Sequence, residues 1–257
     1  MSTDYGKLFR LDGQRALVIG AGSGIGRESA LALGAHGAHV ICADLDMNHA
    51  QETASQIDGA EAVTLNVLAD ADVTALTTTL APLDICVHTP AMNVRKAILD
   101  YTLEEFDRVI ALNLRATFHV IKTVGALMVA QGHGSIVTFS SIRAVTVEPG
   151  QSVYAATKSG MESLVRTAAA EFGPANVRIN AIRPGVVETP LTAQLKNNQA
   201  WYDAYAQKSA LGRWARADEL AGAVVFLASQ ASSFVTGSTL TVDGGWTAID
   251  GRYSPPL

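Results

Sequence analysis

Tyr154 and Lys158 stand four residues apart in "SVYAATKSG", Ser152 to Gly160, with only Ala and Thr between them. On a helix, side chains at i and i+4 share one face, so a phenol and an ammonium would point at one place. An isolated pair of this kind is an ordinary surface feature, and its meaning depends on the rest of the chain. A second stretch with chemistry in it lies near the start, where the apolar run "RALVIG" leads directly into "AGSGIG" and then a helical pattern. Glycines at Gly20, Gly24 and Gly26 let the backbone approach a pyrophosphate, and a helix N-terminus favours its charge. The spacing is G-x-x-x-G-x-G; the pattern G-x-G-x-x-G from Gly20 and Gly22 fails because Ile25 occupies its third position. Asp44, eighteen residues past Gly26, ends the next apolar run. A carboxylate there accepts hydrogen bonds from both adenosine ribose hydroxyls and repels a 2′-phosphate. An arginine at position 23 would favour that phosphate, but the residue is Ser23. The expected cofactor is NAD, with NADP the less favoured.

These groups need a frame to bring them together. Seven short runs read as strands: 15–20, 38–44, 61–67, 83–88, 134–140, 177–182 and 238–244. They are apolar nearly throughout, as strands covered on both faces are. Helical patterns lie between them at 25–36, 70–80, 103–130, 153–173 and 217–229, with Thr102 and Glu105 forming a capping pair. Such alternation predicts an α/β fold: a Rossmann-type, doubly wound parallel sheet with helices on both faces. No linker or repeat divides the chain, so a single domain is expected, with a cofactor half at about 12–135 and a catalytic and substrate half at about 136–257. Only 186–212 breaks the rhythm, a long insertion carrying Trp201, Tyr202 and Tyr205 that reads as a lid-like loop.

Composition narrows the partners. Of 257 residues 48% are hydrophobic and 17% charged, enough for a sizeable core. A net charge of −5 with no basic stripe argues against nucleic acid. The polar start "MSTDYGKLFRLDG" lacks the apolar segment of a secretory signal, and no apolar run reaches membrane-spanning length. Cys42 and Cys86 each sit inside a strand-like run, as reduced thiols of a cytoplasmic protein do. His36 and His39 lack further ligands nearby, so no metal is expected.

In combination, "GAGSGIG", "LDICV", "ALNL", "VTFSSI", "YAATK", "NAIRPG" and "VDGG", in this order, make the chain resemble the classical short-chain dehydrogenases/reductases along essentially its whole length. The resemblance implies a catalytic set of Asn113, Ser141, Tyr154 and Lys158. Tyr154 would exchange a proton with the substrate oxygen. A free phenol has a pKa of about 10; Lys158 and a cationic nicotinamide would lower it. Lys158 would also bind the nicotinamide ribose. The family serine stands thirteen residues before the tyrosine, which selects Ser141 over Ser140. Asn113 would interrupt its helix and position a relay water. The implied cofactor contacts are Gly20, Ser23, Gly24, Ile25, Gly26, Asp44, Asn66, Val67, Thr89, Tyr154, Lys158, Pro184, Gly185, Val187 and Thr189. Departures are Ile19 before the glycine turn, Asn66 at the adenine, and "HTPA", His88 to Ala91, in place of Asn-Asn-Ala-Gly.

The resemblance implies interconversion of a secondary alcohol and a ketone, and leaves the small-molecule substrate open. Asn93, Ser141, Arg143, Gln151 and Tyr154 are the expected substrate contacts, with Arg95, Glu148, Val186 and Glu188 facing the same pocket. Arg143 can hold a carboxylate or several hydroxyls, which points to a sugar, polyol or hydroxy acid. The alternatives are an NADP-dependent 3-oxoacyl or other carbonyl reductase and, from a different class, a catalytically idle NAD-binding scaffold. Gly160, Met161, Leu164, Val165, Ala168 and Ala169 spread wider than one core-facing stripe needs, so a second face of this helix is expected to pack against a copy of itself; the resemblance implies association through this helix and its predecessor, as a homotetramer.

Overall fold

The computed structural model describes residues 4–196 and 198–250. Seven strands form one parallel sheet: β1 Arg15–Ile19, β2 His39–Asp44, β3 Glu61–Thr64, β4 Ile85–His88, β5 Gly134–Phe139, β6 Val177–Pro184 and β7 Thr239–Val242. Their order is β3-β2-β1-β4-β5-β6-β7. The order reverses between β1 and β4, and ligands of such sheets gather beyond the carboxyl ends at that point.

Alternation along each strand feeds two cores. Leu17, Ile19, Cys86, Ile136 and Ile179 face a layer built from α3 (Asp70–Thr79), α5 (Thr117–Gln131) and α6 (Ser152–Phe172). Ala16, Val18, Cys42, Val87 and Val137 face the other layer, which holds α1 (Gly24–Ala35) and α9 (Ala221–Ala228). Both cysteines are free and buried, and each pairs in register with β1: Val18 with Cys42, Leu17 with Cys86.

The structure departs from the sequence reading in four places. A helix unmarked by any apolar stripe, α2 (Met47–Ala54), follows β2, its start capped by the Asp46 carboxylate accepting from the Asn48 amide at 2.9 Å. Glu61–Thr64 is a shorter strand than 61–67: the Leu65 amide still bonds the Asp44 carbonyl at 2.8 Å, where β2 ends, and the chain then turns at Asn66 to Ala69. The helix expected over 103–130 is three pieces: α4 (Leu103–Ile110), a π-turn at Ala111–Ala116, and α5. Asn113 sits inside the turn, and Thr102 and Glu105 do form a reciprocal capping box. The insertion at 186–212 is no plain loop, since it carries α7 (Ala193–Lys196) and α8 (Gln199–Lys208).

Candidate active site

The carboxyl ends of β1, β4, β5 and β6 open onto two neighbouring cavities that share Leu191 in their walls. The larger, of about 450 Å³, is lined by Gly20, Ser23, Gly24, Ile25, Gly26, Asp44, Asn66, Val67, Thr89 and Thr189, all sequence-predicted cofactor contacts. Its floor is shaped by missing side chains. A Cβ on Gly26 would lie 1.9 Å from the Gly20 carbonyl oxygen, and one on Gly22 would lie 2.7 Å from the Asp44 carboxylate. Gly20 and Gly24 have φ of +82° and +52°, which L side chains rarely adopt. No side-chain cap closes the first turn of α1 at Ser23, which leaves its amides to an anion. Asp44 accepts from the Gly22 amide at 2.8 Å and the Asp46 amide at 3.1 Å, so its carboxylate is fixed at the rim. This cradle fits the pyrophosphate and adenosine ribose of a nicotinamide dinucleotide.

The "HTPA" departure is accommodated here. Thr89 Oγ1 donates to the Ile19 carbonyl at 2.9 Å and occupies the space Gly20 leaves; a Cβ on Gly20 would meet it at 2.4 Å. His88 is buried beneath. Thr117 donates its one hydroxyl proton to the Asn113 carbonyl at 2.9 Å, so it must accept from His88 Nε2 at 3.1 Å, which fixes the imidazole tautomer. Burial, and next the charge of Lys158, push the His88 pKa down to about 3, so the ring is neutral at physiological pH.

The smaller cavity, of about 70 Å³, is lined by Asn93, Arg95, Ser141, Arg143, Gln151, Tyr154, Gly185, Val186 and Tyr205, among others. All five sequence-predicted substrate contacts meet in it. Two adjacent serines divide their labour: Ser140 donates to buried Glu162 at 2.6 Å, while Ser141 lines the cavity with Tyr154 and its hydroxyl oxygen accepts from the Arg143 amide at 3.1 Å. Glu162 in turn takes two bonds from Arg183, at 3.0 and 2.7 Å, which pins this end of β6 to α6. Lys158 is buried one turn past Tyr154, its Nζ 5.6 Å from the phenol ring centre and donating to the Phe139 carbonyl at 2.7 Å.

Burial acts on both groups. Tyr154 is not activated by the fold alone: burial pushes its pKa up, against the Ser141 hydrogen bond and the charges of Arg143 and Arg95, which pull it down. Burial lowers the pKa of Lys158 itself to about 7, so its ammonium is held less firmly than that of an exposed lysine. Asn113 spends both amide protons, on the Met92 carbonyl at 2.8 Å and Thr157 Oγ1 at 3.2 Å, and its Oδ1 accepts from the Met92 amide at 2.9 Å. Its side chain ties down the segment after β4, and only one Oδ1 lone pair remains for a relay water.

Some predicted residues fall outside both cavities. Pro184 and Val187 line neither, and Val187 is buried with its carbonyl taken by Thr192 Oγ1 at 2.7 Å. Sequence reasoning gave Tyr205 only a covering role in the insertion and gave Trp246 none; together they enclose Arg143 at 5.8 and 5.5 Å from its guanidinium carbon. Tyr205 could have been found only through the regular Trp-Tyr-x-x-Tyr spacing on α8, and Trp246 carried no signal beyond its place after "VDGG".

A family model described as enoyl-(acyl carrier protein) reductase matches residues 20–247. The 2-keto-3-deoxy-L-fuconate dehydrogenase of Xanthomonas campestris is 36% identical over 244 residues, covering 93% of this chain and 81% of its own. The gluconate 5-dehydrogenase of Gluconobacter oxydans is 34% identical over 251 residues, with 93% and 97% covered. Among solved structures, a gluconate 5-dehydrogenase from Burkholderia cenocepacia in complex with NADP and tartrate has a TM-score of 0.90 at 33% identity, covering 95% of this chain and 98% of that one.

Proposed function

The chain belongs to the classical short-chain dehydrogenases/reductases, and from that membership we propose an NAD-dependent dehydrogenase of a small, oxygen-rich secondary alcohol: a sugar, polyol or hydroxy acid. Membership makes it an NAD(P)-dependent oxidoreductase acting on CH–OH groups. The observation that carries the finer reading is a small polar cavity in which the Ser141 and Tyr154 hydroxyls share a wall with Arg95, Arg143, Asn93 and Gln151.

Bound nicotinamide would supply the hydride acceptor. The substrate oxygen sits between the two hydroxyls: Ser141 holds it, and Tyr154, as phenolate, takes its proton as the alcohol becomes a ketone. In the reverse direction Tyr154 returns that proton. Lys158 lies close enough for its ammonium to favour the phenolate and to hold the nicotinamide ribose. Asn113 keeps the Met92 segment against α6. The helices of the insertion cover the pocket, with Leu195 and Tyr205 in its wall, and we read them as its lid and the whole chain as one catalytic domain.

NAD is favoured because Asp44 stands at the ribose end, and because the neighbouring Arg27 is bound to the Gly22 carbonyl at 2.9 Å and to Glu52 at 3.1 Å rather than turned to a phosphate. A second reading, an NADP-dependent 3-oxoacyl reductase, draws on the description of the matching family model and on the NADP of the solved neighbour. A cavity of about 70 Å³ edged by two arginines is a poor fit to an acyl chain. An idle NAD-binding scaffold would have no use for Tyr154 and Lys158. The test is a screen of sugars, polyols, sugar acids and β-hydroxyacyl compounds against NAD and NADP, read by nicotinamide absorbance. Turnover is expected with NAD on the oxygen-rich compounds; turnover confined to β-hydroxyacyl compounds with NADP would establish the second reading instead.

Among the described residues no helix is long and apolar enough to cross a membrane. Two unpaired buried thiols support a reducing compartment such as the cytoplasm. For assembly as a homotetramer, the supporting surface lies on the predecessor of the Tyr154 helix more than on that helix itself. Met161, Val165, Ala168 and Ala169 are consumed by the chain's own core, whereas Leu103, Phe106 and Phe118 on α4 and α5 are exposed. Light scattering at micromolar concentration should show a multimer, and a monomer would refute this.

A further inference from the structure

The charges around the small cavity do not balance, and the imbalance is built in. Arg95 and Arg143 are the charged side chains among the described residues that line it. Glu148 lies behind them, outside the lining. Its carboxylate accepts from Arg95 Nη1 at 2.7 Å, and from Arg143 Nη2, Gln151 Nε2 and the Tyr205 hydroxyl. Burial pushes its pKa up, but the Tyr205 hydrogen bond, the Arg143 charge and the remaining donors outweigh this and hold it below the ordinary value. Two cations and one anion therefore leave a single positive charge at the wall.

The arginines keep donors to spare. Each guanidinium has five N–H groups, and each gives Glu148 only one nitrogen. Aromatic rings hold both in place: Arg95 lies 5.3 Å from the Trp201 ring centre, and Arg143 rests against Tyr205 and Trp246. Neither needs to reorganise on binding an anion. In the same cluster, Asn93 gives its amide to Gln151 at 2.9 Å, while its Oδ1 is buried with no partner. That oxygen is a pure acceptor and calls for a hydroxyl donor.

We propose that this cavity is a receptor for one carboxylate, held by Arg95 and Arg143 with Glu148 cancelling the second charge, and that Asn93 reads a hydroxyl of the same molecule. It follows that the preferred substrate is a hydroxy acid of charge minus one, ahead of neutral polyols and dicarboxylates. The inference rests on reading this cavity as the substrate site of the CH–OH oxidoreductase. Glu148 is then a specificity-determining residue that never touches the substrate.

Calorimetric titration of the protein in the presence of NADH, with glycerate, glycerol and tartronate as monoanionic, neutral and dianionic probes, tests it. The wild type should bind glycerate about tenfold to a hundredfold more tightly than either of the others, the span of one charged hydrogen-bonded contact. Glu148→Gln should tighten tartronate at least about tenfold over the wild type. Glycerol binding as well as glycerate, no binding of any probe at tens of millimolar, or tartronate unmoved in a folded Glu148→Gln protein would each overturn the proposal. The wild-type comparison needs no variant, so it stands even if Glu148→Gln fails to fold. Oxidation of neutral polyols without preference for acids would sink the receptor alone. Glycerate selectivity in a protein that oxidises no alcohol would keep the receptor and sink the dehydrogenase reading.

Discussion

Tyr154→Phe should lower kcat by about 10²–10⁴-fold, the range of a general acid–base group, while NADH affinity stays near the wild-type value. The phenol is buried and lines the substrate cavity together with Ser141, so removing its oxygen deletes the proton acceptor without opening the cofactor cradle. The pH profile adds a second readout. Burial raises the Tyr154 pKa, so oxidation by the wild type should climb with pH as phenolate forms, and the variant should lose that limb. A variant retaining a tenth of wild-type kcat at saturation would remove Tyr154 from the proton-transfer role.

Asp44→Ala should move the ratio of kcat/KM for NAD over NADP toward NADP by about tenfold to a hundredfold. The change deletes charge-assisted bonds to the ribose hydroxyls and relieves repulsion of a 2′-phosphate. The effect has a structural cost, because Asp44 also holds the Gly22 amide, so a modest fall in affinity for both cofactors is expected. A wild type that already prefers NADP, the cofactor in the solved neighbour, would show that the Asp44 reading is wrong.

The strands were legible because a strand covered on both faces is apolar nearly throughout, and "ALVI", "VICA" and "ICV" are. The helix Met47–Ala54 was not, since its side chains are largely polar and a capping aspartate rather than an apolar stripe sets it. Spacing placed Ser141, not Ser140, at the cavity, and the reason became visible only with Glu162, twenty-two residues away, drawing Ser140 to itself. Arg143 lines the cavity as expected, but its bond to Glu148 was not foreseen. Its partner Glu148 is close in sequence, yet the second arginine on that carboxylate comes from a segment fifty-three residues earlier. Pairings of that range depend on how loops close over a sheet, which no local pattern records. The lowered pKa of Lys158 is likewise a property of burial rather than of residue type.

The two cysteines flank β1 from opposite sides, one thiol in each core layer, and burial pushes their pKa values up to about 11 for Cys42 and about 12 for Cys86. Thiolate, the form that alkylating reagents attack, is therefore scarce at both positions while the layers stay closed. The fold thus carries its own pair of labels. Modification at Cys42 reports parting of the layer that holds α1 and α9, and modification at Cys86 parting of the layer that holds α5 and α6. Their relative rates measure which half of the sheet lets solvent in first.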